Sequence, residues 1–137
     1  MKIVVSPNPY RDKQFKNARQ ACSILREAGA EVALCLPFDV DKTFEIPHDL
    51  RFQDIQKEIK TADMLICFGG DGTILHSSKI ATEHNLPILG VNIGTMGFIA
   101  ELEAGEIELL RKIPKGDYTV EERTMLDVSV GNGRQTL

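Results

Sequence analysis

The chain is poor in cysteine, with only Cys22, Cys35 and Cys67 among its 137 residues. Their separations of 13 and 32 positions match no paired zinc-ligand spacing. An odd number of cysteines also argues against a framework of disulfides. We therefore expect three reduced thiols buried in the core, where free cysteine is most often found.

Long apolar runs and clustered positive charge are also missing. No run approaches the roughly 18 residues that a transmembrane helix needs. The apolar stretch within the N-terminal segment MKIVVSPNPY is too short for a signal peptide. The net charge is −4, and lysine and arginine are spread along the chain rather than gathered into a stripe. We expect a cytoplasmic protein that binds neither membranes nor nucleic acids.

Four apolar runs, each typical of a strand buried on both faces, alternate with helical patterns. The runs are KIVVS (2–6), EVALCL (31–36), MLICF (64–68) and PILGV (87–91). Helices are predicted over 14–30, 50–60, 73–84 and 103–113, and a loop over 37–49. Gly29 is expected to end the first helix. The second helix is expected to pack Phe52, Ile55 and Ile59. This alternation predicts an α/β fold, an open and mainly parallel sheet with helices on both faces, of the Rossmann-like or phosphofructokinase-like kind.

The pattern changes character near residue 117. Residues 118–130 alternate apolar and polar positions, and Gly131-Asn132-Gly133 is a strong hairpin signal. An isolated hairpin is marginally stable in water. We expect residues 1–116 to form the α/β domain and residues 117–137 to begin a β-rich second domain.

The stretch ICFGGDGTILH, residues 66–76, is typical of a phosphate-binding turn. Its glycines follow a predicted strand, and Thr73 is placed to cap the helix that comes next. Amides at such a helix start point to the carboxyl edge of the sheet, where anions bind. We assign Gly69, Gly70, Gly72 and Thr73 to a phosphate-binding loop; the alternative is a tight turn that needs glycine only for steric reasons.

Asp71 is unexpected in such a loop. A carboxylate about 4 Å from a phosphate charge costs roughly 1 kcal/mol in water and about 4 kcal/mol at an effective dielectric near 20. Either a divalent cation lies between the two anions, or the carboxylate faces a hydroxyl that attacks the phosphate. In the second case Asp71 accepts the proton of the alcohol while the amides and a metal hold the phosphoryl group. The remaining alternative is an Asp-Gly turn former.

A second motif follows about two dozen residues later, VNIGTMGFIAEL at 91–102. Together with GGDGT after a buried strand, its Asn92, Gly94, Gly97 and Phe98 resemble the N-x-G-x-x-G-F-[LI] segment of the NAD kinase family. GGDGT itself is shared with 6-phosphofructokinases and with diacylglycerol and sphingosine kinases. The resemblance extends through Arg123-Thr124-Met125-Leu126, which is similar to the segment entering that family's second domain.

The resemblance implies transfer of the terminal phosphoryl group of ATP, or of polyphosphate, to the adenosine ribose 2′-hydroxyl of NAD. It implies Asp71 as proton acceptor and a divalent metal, Mg²⁺ being expected, although no residue is assigned as a metal ligand. It also implies a homo-oligomeric full-length protein, whose second domain completes the NAD site, so that the 137-residue chain alone is expected to be inactive. The alternatives are a lipid or sugar kinase sharing GGDGT, or a non-catalytic nucleotide-binding module.

Further NAD-binding residues follow from the same resemblance. Asp71 and Gly72 would contact the dinucleotide, and His76 stands where the family places a basic residue, although an ordinary surface histidine is the alternative. Phe98 would lie against adenine and Met96 would line the same pocket, unless they only fill the core. Two asparagines, Asn8 and Asn92, are further candidates that can instead fix their turns.

Overall fold

A computed structural model describes residues 1–94 and 99–120, together with the backbone of residues 127–130 and 133–136. Five parallel strands form one sheet in the order β2-β1-β3-β4-β5. The strands are β1 Lys2–Pro7, β2 Glu31–Leu34, β3 Met64–Gly69, β4 Ile88–Asn92 and β5 Leu102–Glu103. The predicted α/β fold with a parallel sheet is confirmed.

Each apolar strand faces two layers of the core because successive side chains point to opposite sides of a sheet. In β1, Ile3 and Val5 belong to the larger buried cluster, whereas Val4 between them belongs to the smaller one. The larger cluster includes residues of α1 (Lys16–Glu27) and of the 3-10 helix Ala104–Lys112. The smaller one includes residues of α2 (Ile55–Glu58) and α3 (Asp71–Glu83). Helices therefore cover both faces, and this explains why the strands are apolar throughout.

The first helix ends as its sequence predicts. Gly29 adopts φ +100°, a conformation that side chains rarely tolerate, and the Ala30 N–H donates to the Leu25 carbonyl at 2.9 Å. At its start a 3-10 turn, Lys13–Phe15, precedes α1. The three cysteines are free and buried, as expected from the sequence.

The helix predicted over 50–60 is shorter than expected. It begins at Ile55 because the Asp54 carboxylate accepts the Gln56 N–H at 3.0 Å, and it continues as the 3-10 turn Ile59–Thr61. Phe52 precedes the helix and packs in the larger cluster, with its ring centroid 4.9 Å from that of Phe15. Ile55 lies in the smaller cluster instead. The predicted helix therefore does not pack Phe52 together with Ile55 and Ile59, because these side chains lie on opposite sides of the sheet.

The C-terminal predictions hold in part. The helix expected over 103–113 is a 3-10 helix, Ala104–Lys112, whose start is fixed by Glu106, which accepts the Glu103 N–H at 3.0 Å. Strands β6 (Asp127–Val130) and β7 (Gly133–Thr136) pair antiparallel, and residues 131–132 of the predicted turn lie outside the described part of the chain. Residues 118–120 lie outside any strand, and residues 121–126 lie outside the described part of the chain. Within that described part, no helix is long and apolar enough to cross a bilayer.

Candidate functional site at the carboxyl edge of the sheet

Three central strands end side by side. In the parallel register, Pro7 of β1 lies opposite Phe68 of β3, and Gly69 of β3 lies opposite Asn92 of β4. Backbone bonds extend this alignment into the loops, since the Asn8 N–H donates to the Phe68 carbonyl at 2.8 Å and the Ile93 N–H to the Gly69 carbonyl at 3.2 Å. The GGDGT loop is therefore flanked on one side by the loop after β1 and on the other by the loop after β4.

The helix after β3 starts earlier than its sequence suggests. Gly70 is the residue before the helix, and Asp71 is the first residue within α3. Thr73 is already in the first turn, so the prediction that it caps the helix is wrong. The amides of that first turn have no carbonyl within the helix, and the positive end of the helix dipole lies there. This arrangement can bind an anion.

Of the three glycines in the loop, Gly69 is the one that close packing requires. Gly70 has φ −94° and ψ −171°, an extended conformation open to any residue, so special backbone angles do not explain the glycine there. A Cβ atom at Gly69 would lie 2.6 Å from the Thr73 Oγ1, closer than two such atoms can approach. At Gly70 and Gly72 a Cβ would meet no atom within 4 Å. The loop thus has no room for a side chain at Gly69 and leaves open space at Gly70 and Gly72.

Asp71 links the two sequence motifs. Its half-buried carboxylate accepts the Ile99 N–H at 3.3 Å, across 28 positions of the chain. The acid of GGDGT therefore lies at the end of the second glycine loop, where the resemblance requires the two motifs to meet. This bond crosses from one loop to another, and the role of Asp71 as proton acceptor stays a prediction.

Asn8 connects the loop after β1 to the GGDGT helix. Its Nδ2 donates to the Thr73 Oγ1 at 2.8 Å, and its Oδ1 accepts the Tyr10 N–H at 2.9 Å. Thr73 itself is buried. The Asn8 side chain thus fixes its own turn and also holds it against α3. A phosphate-binding role for Asn8 stays a prediction.

Asn92 has both ends of its amide engaged within the protein. The Oδ1 accepts the Gly94 N–H at 3.0 Å, and the Nδ2 donates to a Glu103 carboxylate oxygen at 3.0 Å. The side chain is buried. These bonds are those expected of a residue that fixes a turn, the alternative given from the sequence.

His76 lies on the exposed side of α3, about one turn beyond Gly72. Its Nε2 donates to the Pro37 carbonyl at 3.0 Å, because a carbonyl can only accept. The ring also meets the edge of Phe38, with centroids 6.2 Å apart. His76 therefore holds the 37–49 loop against α3, and its Nδ1 is the ring nitrogen that this bond leaves for a ligand. Met96 and Phe98, the remaining NAD-binding candidates, lie outside the described residues.

A thiol nucleophile is not indicated at this edge. Cys67 lies on β3, two residues before Gly69, and its Sγ is 3.8 Å from the Leu89 carbonyl. Burial raises its pKa to about 12. The thiol is therefore protonated at neutral pH, where only a thiolate would be a competent nucleophile.

Arg11 is a residue of this edge that the sequence reasoning missed. Its Nη1 lies 3.7 Å from the position that a Cβ atom would take at Gly94, and the Gly70 Cα lies at the same distance from that point. A cationic residue five positions after a predicted strand was the available signal. It was not recognised, because no motif contains it.

The comparisons with known proteins decide the family. The family model of the ATP-NAD kinase N-terminal domain matches residues 2–118. This chain belongs to the NAD kinase family. The match covers most of the chain and includes both glycine motifs described above.

Curated relatives give the same family. The chain is 32% identical to the NAD kinase of Bacteroides fragilis over 130 residues, which cover 93% of this chain and 45% of that protein. It is 30% identical to the NAD kinase of Corynebacterium diphtheriae over 139 residues, 98% of this chain and 44% of that protein. The chain therefore spans about half the length of the curated relatives it matches.

Proposed function

We propose that this chain is the N-terminal part of an enzyme that transfers the terminal phosphoryl group of ATP, or of polyphosphate, to the 2′-hydroxyl of the adenosine ribose of NAD. The observation that carries the proposal is the bond between Asp71 and the Ile99 N–H, which joins the acid of one motif to the loop of the other. Membership of the family supports it.

Each part of the edge has a role in this reaction. The carboxylate of Asp71 accepts the proton of the 2′-hydroxyl as the new oxygen–phosphorus bond forms and the bond to the leaving phosphate oxygen breaks. With ATP as donor, the products are NADP and ADP. The amides of the first turn of α3 hold the transferring group in line, and the open space above Gly70 and Gly72 admits it. An aspartate is a weak base toward an alcohol, so alignment and charge stabilisation supply most of the acceleration.

A divalent cation, Mg²⁺ being expected, fits this edge as a companion of the donor. The described residues contain no group of three or more His, Cys, Asp or Glu that could hold a metal ion. Magnesium in phosphoryl-transfer sites is commonly bound by one or two carboxylates together with the substrate's phosphates. No protein ligand is assigned to the cation; bound to the donor's phosphates it would neutralise charge on the transferring group, while Asp71 keeps the role of proton acceptor.

Further proposals concern the whole protein. We assign residues 1–116 to the nucleotide-binding domain and residues 117–137 to the start of a second domain that completes the NAD site; the family match ends close to this boundary, at residue 118. Gly72, His76, Met96 and Phe98 contact NAD, and Gly69, Gly70 and Thr73 shape the phosphate-binding loop. The full-length protein is a cytoplasmic homo-oligomer that binds neither membrane nor nucleic acid.

The decisive experiment is Asp71→Asn in a protein that joins this chain to the C-terminal domain of the family. Asparagine keeps an oxygen to accept the Ile99 N–H but cannot take the proton. We expect the turnover number to fall by about 10²- to 10⁴-fold, the usual contribution of a general base. Glu83→Gln is the matched control, because it removes the same charge from the far end of α3.

NADP formation is measured enzymatically with ATP and with polyphosphate, beside a panel of diacylglycerol, a sphingoid base and a sugar phosphate. An Asp71→Asn protein that works near the unmodified rate would refute the proposed base. Phosphorylation of a panel member but not of NAD would refute the substrate. The purified 137-residue chain is expected to form no NADP.

A further inference from the structure

The loop after β1 is held rigidly at both ends. The Arg11 and Asp12 amides donate to the Asn8 carbonyl at 3.2 and 2.9 Å. The buried Asp12 carboxylate accepts the Asn17 N–H at 3.0 Å and the Ala18 N–H at 2.9 Å, and so caps the start of α1. The backbone at Arg11 is thereby fixed between the end of β1 and the first turn of α1.

This loop brings the Arg11 guanidinium to the glycines of the other two loops. If Gly94 carried a Cβ atom, both the Arg11 Nη1 and the Gly70 Cα would lie 3.7 Å from it. The distance between the Arg11 Nη1 and the Gly70 Cα is therefore at most twice 3.7 Å. Gly70 is the residue immediately before α3. A positive charge therefore lies beside the helix start that, in the proposed function, receives a phosphoryl group.

The charge of Arg11 has no structural use within the described part of the chain. Four ion pairs occur there, formed by Lys2, Arg19 and Arg111, and none of them includes Arg11. The side chain is exposed, as a ligand-binding group must be. Arginine presents a planar fork of N–H donors that matches two phosphate oxygens, and it remains charged at any physiological pH.

We propose that Arg11 binds the phosphoanhydride chain of the phosphoryl donor, in a nucleoside triphosphate or in inorganic polyphosphate, beside the start of α3. This inference rests on the proposed function. The donor is chosen over the pyrophosphate of NAD because the donor's terminal group lies on the α3 amides, next to Gly70 and hence next to Arg11. The guanidinium also offsets the repulsion between the Asp71 carboxylate and the incoming phosphates.

The test compares Arg11→Gln with Arg11→Lys in a protein that joins this chain to the family's C-terminal domain. Arg26→Gln is the matched control, because it removes the same charge from the last turn of α1, at the opposite edge of the sheet. Dissociation constants for ATP and for tripolyphosphate are measured calorimetrically at low and moderate salt, together with the KM values for donor and for NAD. Thermal unfolding checks the fold, which an exposed side chain should not alter.

Arg11→Gln is expected to weaken binding of both donors by about tenfold or more, as loss of a charge-assisted contact implies. It should also reduce the salt dependence of binding and raise the donor KM with little change in the KM for NAD. Arg11→Lys should restore part of the affinity. Selective loss of ATP binding alone would assign the contact to nucleoside triphosphates, and selective loss of tripolyphosphate binding to polyphosphate.

Unchanged donor affinity in an active Arg11→Gln protein would overturn the inference while leaving the proposed function intact. A rise confined to the KM for NAD would also overturn it, by assigning Arg11 to the dinucleotide. If the unmodified protein neither binds these donors nor phosphorylates NAD, the proposed function itself fails, and the role of Arg11 fails with it.

Discussion

Gly69 and Gly72 occupy one short loop, yet alanine should affect them in opposite ways. At Gly69 the new methyl group would lie 2.6 Å from the Thr73 Cβ and Oγ1, and Thr73 cannot move freely because it is buried and accepts a hydrogen bond from Asn8. Forcing an extra carbon into a packed site costs about 1–3 kcal/mol. At Gly72 the methyl group would meet nothing, and in a helix alanine is favoured over glycine by up to about 1 kcal/mol.

The assay is thermal and urea unfolding of the two single variants beside the unmodified chain. For a domain of this size a change of 1 kcal/mol moves Tm by about 3–6 °C. Gly69→Ala should therefore unfold several degrees lower, and Gly72→Ala at the same temperature or slightly higher. The reasoning is refuted if Gly69→Ala is as stable as the parent, or if both variants lose stability equally.

Three further outcomes are expected. Gly72→Ala, although folded, should lower NADP formation in a protein carrying both domains, because its methyl group projects into the space proposed for substrate; full activity in an enzymatic assay would remove Gly72 from the site. Asp12→Ala should lower the free energy of unfolding by about 1–3 kcal/mol, since it leaves the buried Ala18 amide without its acceptor; Asp39→Ala, in an exposed loop position, is the control, and equal urea midpoints would contradict the capping role. Burial raises the pKa of Cys35 and of Cys67 to about 12. Both thiols therefore stabilise the fold fully below the pKa of an unfolded thiol, near 8.5, and progressively less up to about pH 12. Across this range the free energy of unfolding should fall less steeply with pH in a protein that carries both Cys35→Ala and Cys67→Ala. An unchanged slope would contradict the prediction.

The sequence was sufficient to predict the sheet because each central strand is buried on both faces. Ile3, Val4 and Val5 are all apolar since two different helical layers cover them. The meeting of the two glycine motifs was also predictable, because the carboxyl ends of parallel strands share one edge. Neither inference needed the identity of any partner side chain.

The errors concern residues whose conformation depends on distant parts of the chain. Local periodicity extended a helix back to residue 50, but the Gln53 N–H donates to the Leu34 carbonyl at 2.8 Å, which keeps that segment extended. Threonine is a residue type that commonly caps helices, yet the Thr73 hydroxyl accepts a hydrogen bond from Asn8, 65 positions away. Arg11 belongs to no motif, and its guanidinium comes near Gly70 and Gly94 only because the loops after β1, β3 and β4 pack together. Such long-range pairings are not encoded in local spacing.

Asp71, the acid that is unexpected in a phosphate-binding loop, lies in the first turn of α3. A carboxylate at a helix start is favoured by the helix dipole, and it would normally compete with a phosphate for the same amides. Asp71 accepts the N–H of Ile99 on the neighbouring loop. In the proposed function, the Asp71 carboxylate faces the 2′-hydroxyl of NAD. The amides of α3, with Arg11 near Gly70 and Gly94, are where the phosphates of the donor are proposed to bind.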